Sequence, residues 1–328
     1  MAGPIWVVAE TNADGSLAKL SAEIATLARS LADAAGATAA GIVVAADPGP
    51  AATELASYLP RVVAVAEPAA SGHAWAQIAA QRAAPILAAE TPGAVLTGAG
   101  SDGRDVAGTL LALLERGVLY NAVAVSWDAE RASPSVEMGV FGGRLITTSA
   151  FSDGEWGIVT VRPNVVTAEP ADSTGSIEAG PAGADLTLPP VKIVERVEEA
   201  AGAVPIEEAR VIVAGGRGVG SEEGFGLLQE LADALGGAVG ATRAAVDAGW
   251  IPYAQQIGQT GKIVKPQLYL ALGISGAIQH KVGMQTSGAI VAVNRDPDAP
   301  IAEFADLLVI GDQAEVGKAL LEALRSRT

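Results

Sequence analysis

The sequence predicts an α/β protein of two domains, each built on a mainly parallel sheet with flanking helices. Short apolar runs alternate with amphipathic stretches of helical period, and a segment without periodicity separates two such alternating regions. Half of the 328 residues are hydrophobic, while 4% are aromatic and 18% are charged. This composition is typical of a compact α/β protein whose cores are built from Ala, Val, Leu and Ile.

The first half of the chain alternates strand-like and helix-like segments. Apolar residues between Leu17 and Leu31 recur at helical spacing, and Gly36 is placed to end that helix. Alternation at this rhythm predicts a parallel sheet with helices on both faces. The predicted strands cover residues 5–9, 42–45, 62–65 and 94–97, and two further helices cover residues 78–87 and 106–114.

Beyond residue 117, strand-like runs follow one another without helices between them. The predicted strands cover residues 118–125, 136–141, 144–148 and 157–161. Gly142 and Gly143, between the second and third of these runs, are a hairpin signal. We therefore expect an antiparallel extension of the first sheet.

Periodicity disappears between residues 165 and 190, where Pro, Gly, Ser and acidic residues accumulate. This composition predicts an exposed connector. Residues 191–199 alternate apolar and charged side chains, which fits a strand that crosses between the lobes, and a second alternating unit begins at residue 211. We place the first domain at residues 1–190 and the second at residues 191–328.

Charge and composition exclude several classes of function. With 37 acidic and 21 basic residues, the formal net charge is −16, so there is no basic excess for nucleic acid or an anionic membrane. The chain has no cysteine and two histidines, which excludes thiolate chemistry and argues against a metal site. No apolar stretch approaches the ~20 residues of a membrane span and no signal segment is evident, so we expect a cytoplasmic protein.

A predicted strand at residues 211–214 runs into the glycine-rich turn GGRGVGSEEG. Such a turn lets backbone N–H groups approach a phosphate at a helix start, but its glycine spacing does not match the dinucleotide fingerprint. Glu222 and Glu223 in the first helical turn would also repel a phosphate. A plain tight turn and a ligand-binding turn both remain open, and Arg217, a cation with little structural purpose in a turn, favours the second.

The hexapeptide IGQTGK at residues 257–262 is superficially like a nucleotide-binding P-loop. Gln256 stands where the first glycine is needed, and Ile263 stands where magnesium requires Ser or Thr, so an ATPase is excluded. The Gln259–Thr260 pair between two glycines is suited to hydrogen-bonding the edge of a planar ligand. Taken alone, a hexapeptide of this kind is more often a plain turn.

Polar residues follow the predicted buried strands of the second domain. These strands cover residues 268–274, 290–293 and 307–310. Ser275 is expected to N-cap a helix that carries His280, and Asn294 and Asp312 follow the other two strands. A lone histidine is more often structural, but the position of His280 one turn into a helix at a binding edge favours a functional role. Asn294 or Asp312 taken alone would be read as a turn former. Because ligands bind at the carboxyl edge of open parallel sheets, these side chains, together with Arg243, predict a pocket for a large polar cofactor in a Rossmann-like fold.

The order of motifs across residues 207–328 resembles the α subunit of the electron transfer flavoproteins. The motifs are GGRG, ATRAAVDAGW, GQTGK, LYLALGISGAIQH, AIVAVNRDPDAP and a closing Gly-Asp. The first domain carries the weaker signals GRD at 103–105 and VRP at 161–163; after GRD this chain departs from the family pattern, so no role is carried over there. The resemblance implies a heterodimer in which this chain binds FAD in its second domain and a β subunit holds AMP. It also implies electron transfer from dehydrogenases, notably the acyl-CoA dehydrogenases of fatty acid β-oxidation, to a membrane quinone reductase.

The resemblance further implies which residues meet the cofactor. Arg243 would lie over the isoalloxazine face, Thr260 near its N5 atom and His280 at its pyrimidine oxygen, and these three would tune the reduction potential. The other cofactor-binding residues that it implies are Arg217, Thr242, Ile257, Gly258, Gln259, Gly261, Ser275, Gly276, Ala277, Ile278, Gln279, Asn294 and Asp312. We also expect the strand-rich end of the first domain to contact the partner subunit.

Three classes of function are compatible with these patterns. A redox carrier acting between proteins is favoured because no third group completes a catalytic triad with His280, and because a nearby guanidinium and imidazole would stabilise the charge that an electron adds to a flavin. An NAD(P)-dependent oxidoreductase or transhydrogenase-like domain would need a dinucleotide fingerprint and a catalytic acid or base. A nucleotide-binding scaffold is the third class, and flavin absorption between roughly 370 and 450 nm would exclude it.

Overall fold

The computed structural model describes residues 2–141, 145–152, 155–181, 186–188, 191–194 and 205–326. The chain divides into two compact units, Met1–Val197 and Glu198–Thr328. Both units are α/β, which confirms the predicted fold class. Residues 195–204 lie outside the described part of the chain, so the predicted boundary near residue 190 stays a prediction.

The first unit is built on a nine-stranded mixed sheet with the strand order β7-β6-β5-β8-β4-β1-β2-β3-β9. Neighbouring strands from β5–β8 through to β3–β9 are parallel, whereas β5–β6 and β6–β7 are antiparallel. The antiparallel extension is therefore confirmed. The strands are β1 (Ile5–Ala9), β2 (Ala39–Ala45), β3 (Arg61–Ala66), β4 (Ala94–Gly98), β5 (Val118–Asp128), β6 (Ser133–Val140), β7 (Leu145–Ala150), β8 (Ile158–Val161) and β9 (Ser176–Ala179).

Helices cover both faces of this sheet. They are α1 (Lys19–Ala35), α2 (Gly49–Leu55), α3 (Trp75–Glu90) and α4 (Ser101–Leu114). Alternate residues of the fully buried strand β1 serve the two cores: Ile5 and Val7 belong to the cluster with α1 and α2, while Trp6 and Val8 belong to the cluster with α3 and α4. Gly36 ends α1 with a left-handed φ of 61°, as predicted.

The predicted exposed connector is wrong in part, because Ser176–Ala179 form β9. This strand pairs in parallel with β3 at the edge of the sheet, and Arg61 of β3 bonds the Glu178 carboxylate at 3.1 Å. All four residues of β9 are exposed. A strand that buries no side chain shows no alternation of apolar and polar residues. Its backbone pairing with β3 could therefore not be predicted from the sequence.

Other differences in the first unit are smaller. Helix α2 was not predicted, and α4 begins at Ser101 rather than near residue 106. The early start of α4 brings Gly103 against the Gly98 carbonyl, where a Cβ would collide. The Gly142–Gly143 turn and residues 195–199 of the predicted crossing strand lie outside the described residues, while Lys192 forms an isolated bridge with His73.

The second unit contains a five-stranded, fully parallel sheet with the order β11-β10-β12-β13-β14. Its elements are β10 (Val211–Gly215), α5 (Glu222–Ala234), β11 (Ala238–Ala241), α6 (Arg243–Asp247), β12 (Leu268–Leu272), α7 (Ile278–Met284), β13 (Ala289–Asn294), β14 (Leu307–Ile310) and α8 (Gln313–Arg325). Strand β11 lies beside β10 at one edge of the sheet, and the chain then crosses over to form β12 on the opposite side of β10. The carboxyl ends of β10 and β12 therefore form a topological switch point, where open sheets of this type bind ligands.

The strands of this second sheet are also buried from both sides. Val213 and Leu270 pack in a cluster with residues of α5 and α8, while Ile212 and Tyr269 pack in a second cluster with Met284 of α7. Within the described residues, none of the helices is both long and apolar enough to cross a membrane. The same residues contain no group of three His, Cys, Asp or Glu side chains placed to hold a metal ion.

Candidate functional site

A cavity of about 690 Å³ opens at the carboxyl ends of β10 to β13, at the switch point. Its volume lies within the usual range of small-molecule and cofactor sites. The lining residues are Gly216, Arg217, Gly218, Thr242, Arg243, Ala244, Asp247, Ile257, Gly258, Gln259, Thr260, Gly273, Ile274, Ser275, Gly276, Ala277, Gln279, His280, Asn294, Asp296, Ala299 and Pro300. Most of the residues that the sequence assigned to a cofactor site are thus brought together at one sheet edge.

Glycines let the loops after β10 and β12 meet behind this cavity. The Gly218 N–H donates to the Gly273 carbonyl at 3.0 Å, and a Cβ on Gly216 would collide with the same carbonyl. Gly273 itself has a φ of 62°, which favours glycine. The glycine spacing of the turn is therefore explained by contact between two loops, which a dinucleotide fingerprint does not describe.

Two groups on the cavity wall have no partner within the described part of the chain. The Thr242 hydroxyl is buried and makes no hydrogen bond there. Arg217 is exposed on the short turn after β10 and forms no ion pair with another described residue. A buried hydroxyl is normally satisfied, so Thr242 points to a ligand that supplies the missing partner.

Arg243 begins α6 and is held by a carboxylate on the same helix. Its Nε lies 3.3 Å from Asp247 Oδ2, and both side chains are largely exposed, at 68% and 62%. The pair has the i, i+4 spacing that places two side chains on one helical face. An exposed pair of this kind stabilises the fold little, so the guanidinium can exchange Asp247 for a ligand at small cost.

The turn 257–262 and helix α7 form one rigid wall of the cavity. The Gln259 N–H donates to the Gln279 carbonyl at 2.7 Å, and the Val264 N–H donates to the Gly283 carbonyl at 2.8 Å. Gly283 of α7 lies so close to the turn that a Cβ there would collide with the Gly258 nitrogen. Gly258 has a φ of 145°, which only glycine readily adopts.

His280 completes this wall with both ring nitrogens bonded to protein. Its Nδ1 lies 3.0 Å from the Ile257 carbonyl oxygen, and its Nε2 lies 2.9 Å from the Tyr269 hydroxyl. Because a carbonyl can only accept, Nδ1 carries the proton and Nε2 accepts from Tyr269. Burial lowers the pKa of His280 from 6.5 to about 4, although the hydrogen bond to the Ile257 carbonyl acts to raise it. The ring is therefore neutral at pH 7 and has no N–H left for a ligand.

Three of the predicted cofactor residues do not line the cavity. Gly261 lies within the turn behind Thr260, and Ile278 of α7 is largely exposed outside the cavity. The Asp312 carboxylate instead caps α8 and bonds Arg295. The pKa of Asp312 is lowered mainly by the hydrogen bond from the Glu315 amide and, to a smaller extent, by the hydrogen bond from Arg295.

The expectation that Ser275 caps the helix bearing His280 is also wrong. Helix α7 begins at Ile278 after Ala277, which has no capping side chain. The Ser275 carbonyl instead accepts from the Ile301 N–H at 3.0 Å. Gly276, with a φ of 86°, extends the loop between β12 and α7, so Ser275 lies on the cavity wall rather than at the helix terminus.

Several lining residues were not expected from the sequence. They are Gly216, Gly218, Ala244, Asp247, Gly273, Ile274, Asp296, Ala299 and Pro300. Asp247 could have been found, because it follows Arg243 at helical spacing. Asp296 could not, since its amide bonds the Asn294 side chain at 3.0 Å in a local turn that sequence patterns do not distinguish from any other Asn-initiated turn.

Comparison with known proteins identifies the family. The model described as the electron transfer flavoprotein domain matches residues 5–185, and the one described as the electron transfer flavoprotein FAD-binding domain matches residues 205–285. The electron transfer flavoprotein subunit alpha of Mycobacterium leprae is 42% identical over 96% of each chain. The chain belongs to the electron transfer flavoprotein α-subunit family. The resemblance inferred from the motifs is thus confirmed.

Other known proteins match over a similar length. The subunit alpha of Thermoanaerobacterium thermosaccharolyticum is 38% identical over 98% of this chain and 97% of its own. Protein FixB of Clostridium saccharobutylicum is 36% identical over 95% of this chain and 93% of its own. The cavity walls from Gly216 to His280 fall within the matched FAD-binding domain, and the cavity extends beyond that match to Pro300.

Proposed function

We propose that this electron transfer flavoprotein α subunit holds one FAD in the cavity at the switch point and carries electrons between proteins. The observation that carries the proposal is the position of the cavity within the family's FAD-binding domain. FAD supplies the electron-transfer chemistry when bound, and the chain supplies the binding site, its electrostatics and the exclusion of competing reactions.

The residues present fit such a cofactor. The Thr242 hydroxyl lacks a partner among the described residues, and Arg217 and Arg243 bring positive charge to the cavity of a chain whose net charge is −16. A pyrophosphate needs local cations, and the polar edge of a flavin ring needs hydrogen-bonding groups. Thr260, Gln259 and backbone groups of the turn after β10 provide the latter.

The same geometry supports proposals for individual residues. We propose that Arg243 leaves Asp247 for the cofactor and favours its reduction, because a cation stabilises the negative charge that reduction adds. Thr260 acts as a polar contact for the ring. His280 contributes a neutral wall, because its one N–H is donated to the Ile257 carbonyl and its other nitrogen can only accept.

We further propose that the chain pairs with a β subunit that holds AMP and works in the cytoplasm. Dehydrogenases such as acyl-CoA dehydrogenases would donate electrons, and a respiratory quinone reductase would accept them. The support is family membership, together with the names of the relatives, which describe an α subunit. The strand-rich end of the first unit, β5 to β7, is the surface we propose for the partner.

An NAD(P)-dependent oxidoreductase or transhydrogenase-like domain is not favoured. Such an enzyme needs an acid or base free to act on a substrate. Among the cavity-lining residues, His280 has both nitrogens engaged and Asp247 is paired with Arg243. Asp296, which also lines the cavity, accepts a hydrogen bond from the Asp298 amide. Family membership points the same way.

The decisive experiment is co-expression with the presumed β subunit, followed by absorption spectroscopy and identification of the released cofactors. A yellow heterodimer that contains one FAD is expected. Replacement of Arg243 by Ala should lower the flavin reduction potential, on the order of tens of millivolts. Arg325→Ala, which removes an exposed arginine at the far end of α8, is the matched control. A colourless complex, or equal potentials for Arg243→Ala and the parent, would contradict the proposal.

A further inference from the structure

Thr260 is held by two side chains that precede it in the chain. The Gln256 Nε2 atom donates to the Thr260 hydroxyl oxygen at 3.1 Å, and the Tyr253 hydroxyl donates to the Thr260 backbone carbonyl at 2.6 Å. Gln256 is 2% exposed and does not line the cavity, whereas Thr260 does. The buried side-chain amide of Gln256 can therefore influence a ligand in the cavity only through its hydrogen bond to Thr260.

The direction of this hydrogen bond decides what Thr260 offers a ligand. A threonine hydroxyl has one proton to donate and two lone pairs to accept with. Because Gln256 donates into the oxygen, the proton of the hydroxyl is not used by Gln256. Thr260 is thus left as a donor on the side that faces the cavity.

The backbone around Gln256 leaves its side chain little freedom. The Gln256 N–H donates to the Tyr253 carbonyl at 2.9 Å, and its own carbonyl accepts from the Lys262 N–H at 2.7 Å. Gly261 packs so closely that an added Cβ would lie 2.9 Å from Gln256 Cγ. Both the main chain and the first carbon atoms of the Gln256 side chain are therefore fixed. This favours a single orientation of the side-chain amide.

We propose that Gln256 is a positioning residue that presents the Thr260 hydroxyl to the ligand as a hydrogen-bond donor, with Tyr253 fixing the backbone of the same residue. The ligand atom opposite Thr260 is then an acceptor, such as an unprotonated ring nitrogen or a carbonyl oxygen. This inference rests on the proposed FAD site and specifies how one of its contacts is polarised.

Replacing Gln256 by Glu tests the polarity with almost no change in shape. A carboxylate only accepts, so it would draw the Thr260 proton towards itself and present lone pairs to the cofactor. We expect Gln256→Glu to weaken FAD binding to the heterodimer about tenfold and to shift the flavin reduction potential. Gln255→Glu, which adds the same charge one residue away, is the matched control and should leave both nearly unchanged. Tyr253→Phe should weaken binding by a smaller factor.

A double-mutant cycle separates positioning from general structural damage. Thr260→Val removes the hydroxyl, and in that background Gln256→Glu should have little further effect on FAD affinity or potential. A full additional loss in the double variant, or parent-like behaviour of Gln256→Glu alone, would overturn the inference while leaving the FAD site intact.

The hydrogen bond is also testable in the chain without FAD, which keeps this inference separate from the proposed function. In a ¹⁵N-labelled sample, the Gln256 side-chain amide signal is assigned by its absence in Gln256→Leu. That signal should move in Thr260→Val, because its acceptor has gone. An unmoved signal would show that Gln256 does not donate to Thr260, whatever cofactor the protein binds.

Discussion

Acidification should destabilise the FAD-binding unit through His280. The ring is 4% exposed, and burial lowers its pKa from 6.5 to about 4. Between these pH values the unfolded chain binds a proton on His280 that the folded chain does not. The contribution of His280 to the unfolding free energy is therefore fully present above pH 6.5 and is lost as the pH falls towards 4. The whole shift corresponds to about 3 kcal/mol of unfolding free energy, of which about 2 kcal/mol is lost between pH 7 and pH 5.

Urea unfolding of the chain at pH 7 and pH 5 measures this loss. His280→Gln removes the titrating ring, so the drop in unfolding free energy between the two pH values should shrink by about 2 kcal/mol relative to the parent. An equal pH dependence in the parent and in His280→Gln would refute the reasoning, because other groups would then account for it.

Three further outcomes are expected. Asp247→Asn removes a carboxylate's negative charge from the cavity wall, so it should raise the flavin reduction potential in a redox titration; a lowered potential would contradict this. Thr242→Val removes the unpartnered hydroxyl but keeps the shape, and should weaken FAD binding several-fold by equilibrium titration without lowering stability. Ser221→Ala removes the hydrogen bond that caps α5 at the Gly224 amide and should lower the unfolding free energy by about 1 kcal/mol. Unchanged urea midpoints would refute the last.

The buried strands were predictable because burial produces apolar runs in the sequence. Strand β1 has five apolar residues, all buried, and its predicted bounds match those observed. Gly258 and Gly276, and the polar residues Arg243 after β11 and Asn294 at the end of β13, were equally visible, since such residues stand out between apolar runs. Residue types and their spacing were therefore enough to locate the pocket, while most of its individual wall residues were assigned through the resemblance to the electron transfer flavoproteins.

Features that depend on backbone pairing or on partner choice could not be predicted in this way. Strand β9 buries no side chain, so it has no hydrophobic signature. Asp312 has the residue type of a cofactor contact, yet the α8 amides and Arg295 use its oxygens. His280 lies on the cavity wall as expected, but only the three-dimensional arrangement reveals that Tyr269 and Ile257 occupy both ring nitrogens.

The contact between Gly283 and Gly258 limits sequence variation at Gly283, a position outside the cavity wall. Neither glycine can gain even a methyl group without forcing apart the two segments that carry Thr260 and His280. A substitution at Gly283 would therefore be noticed first as a loss of flavin from an otherwise folded protein. In a survey of variants, such a position would be mistaken for a cofactor ligand although it makes no contact with the cavity.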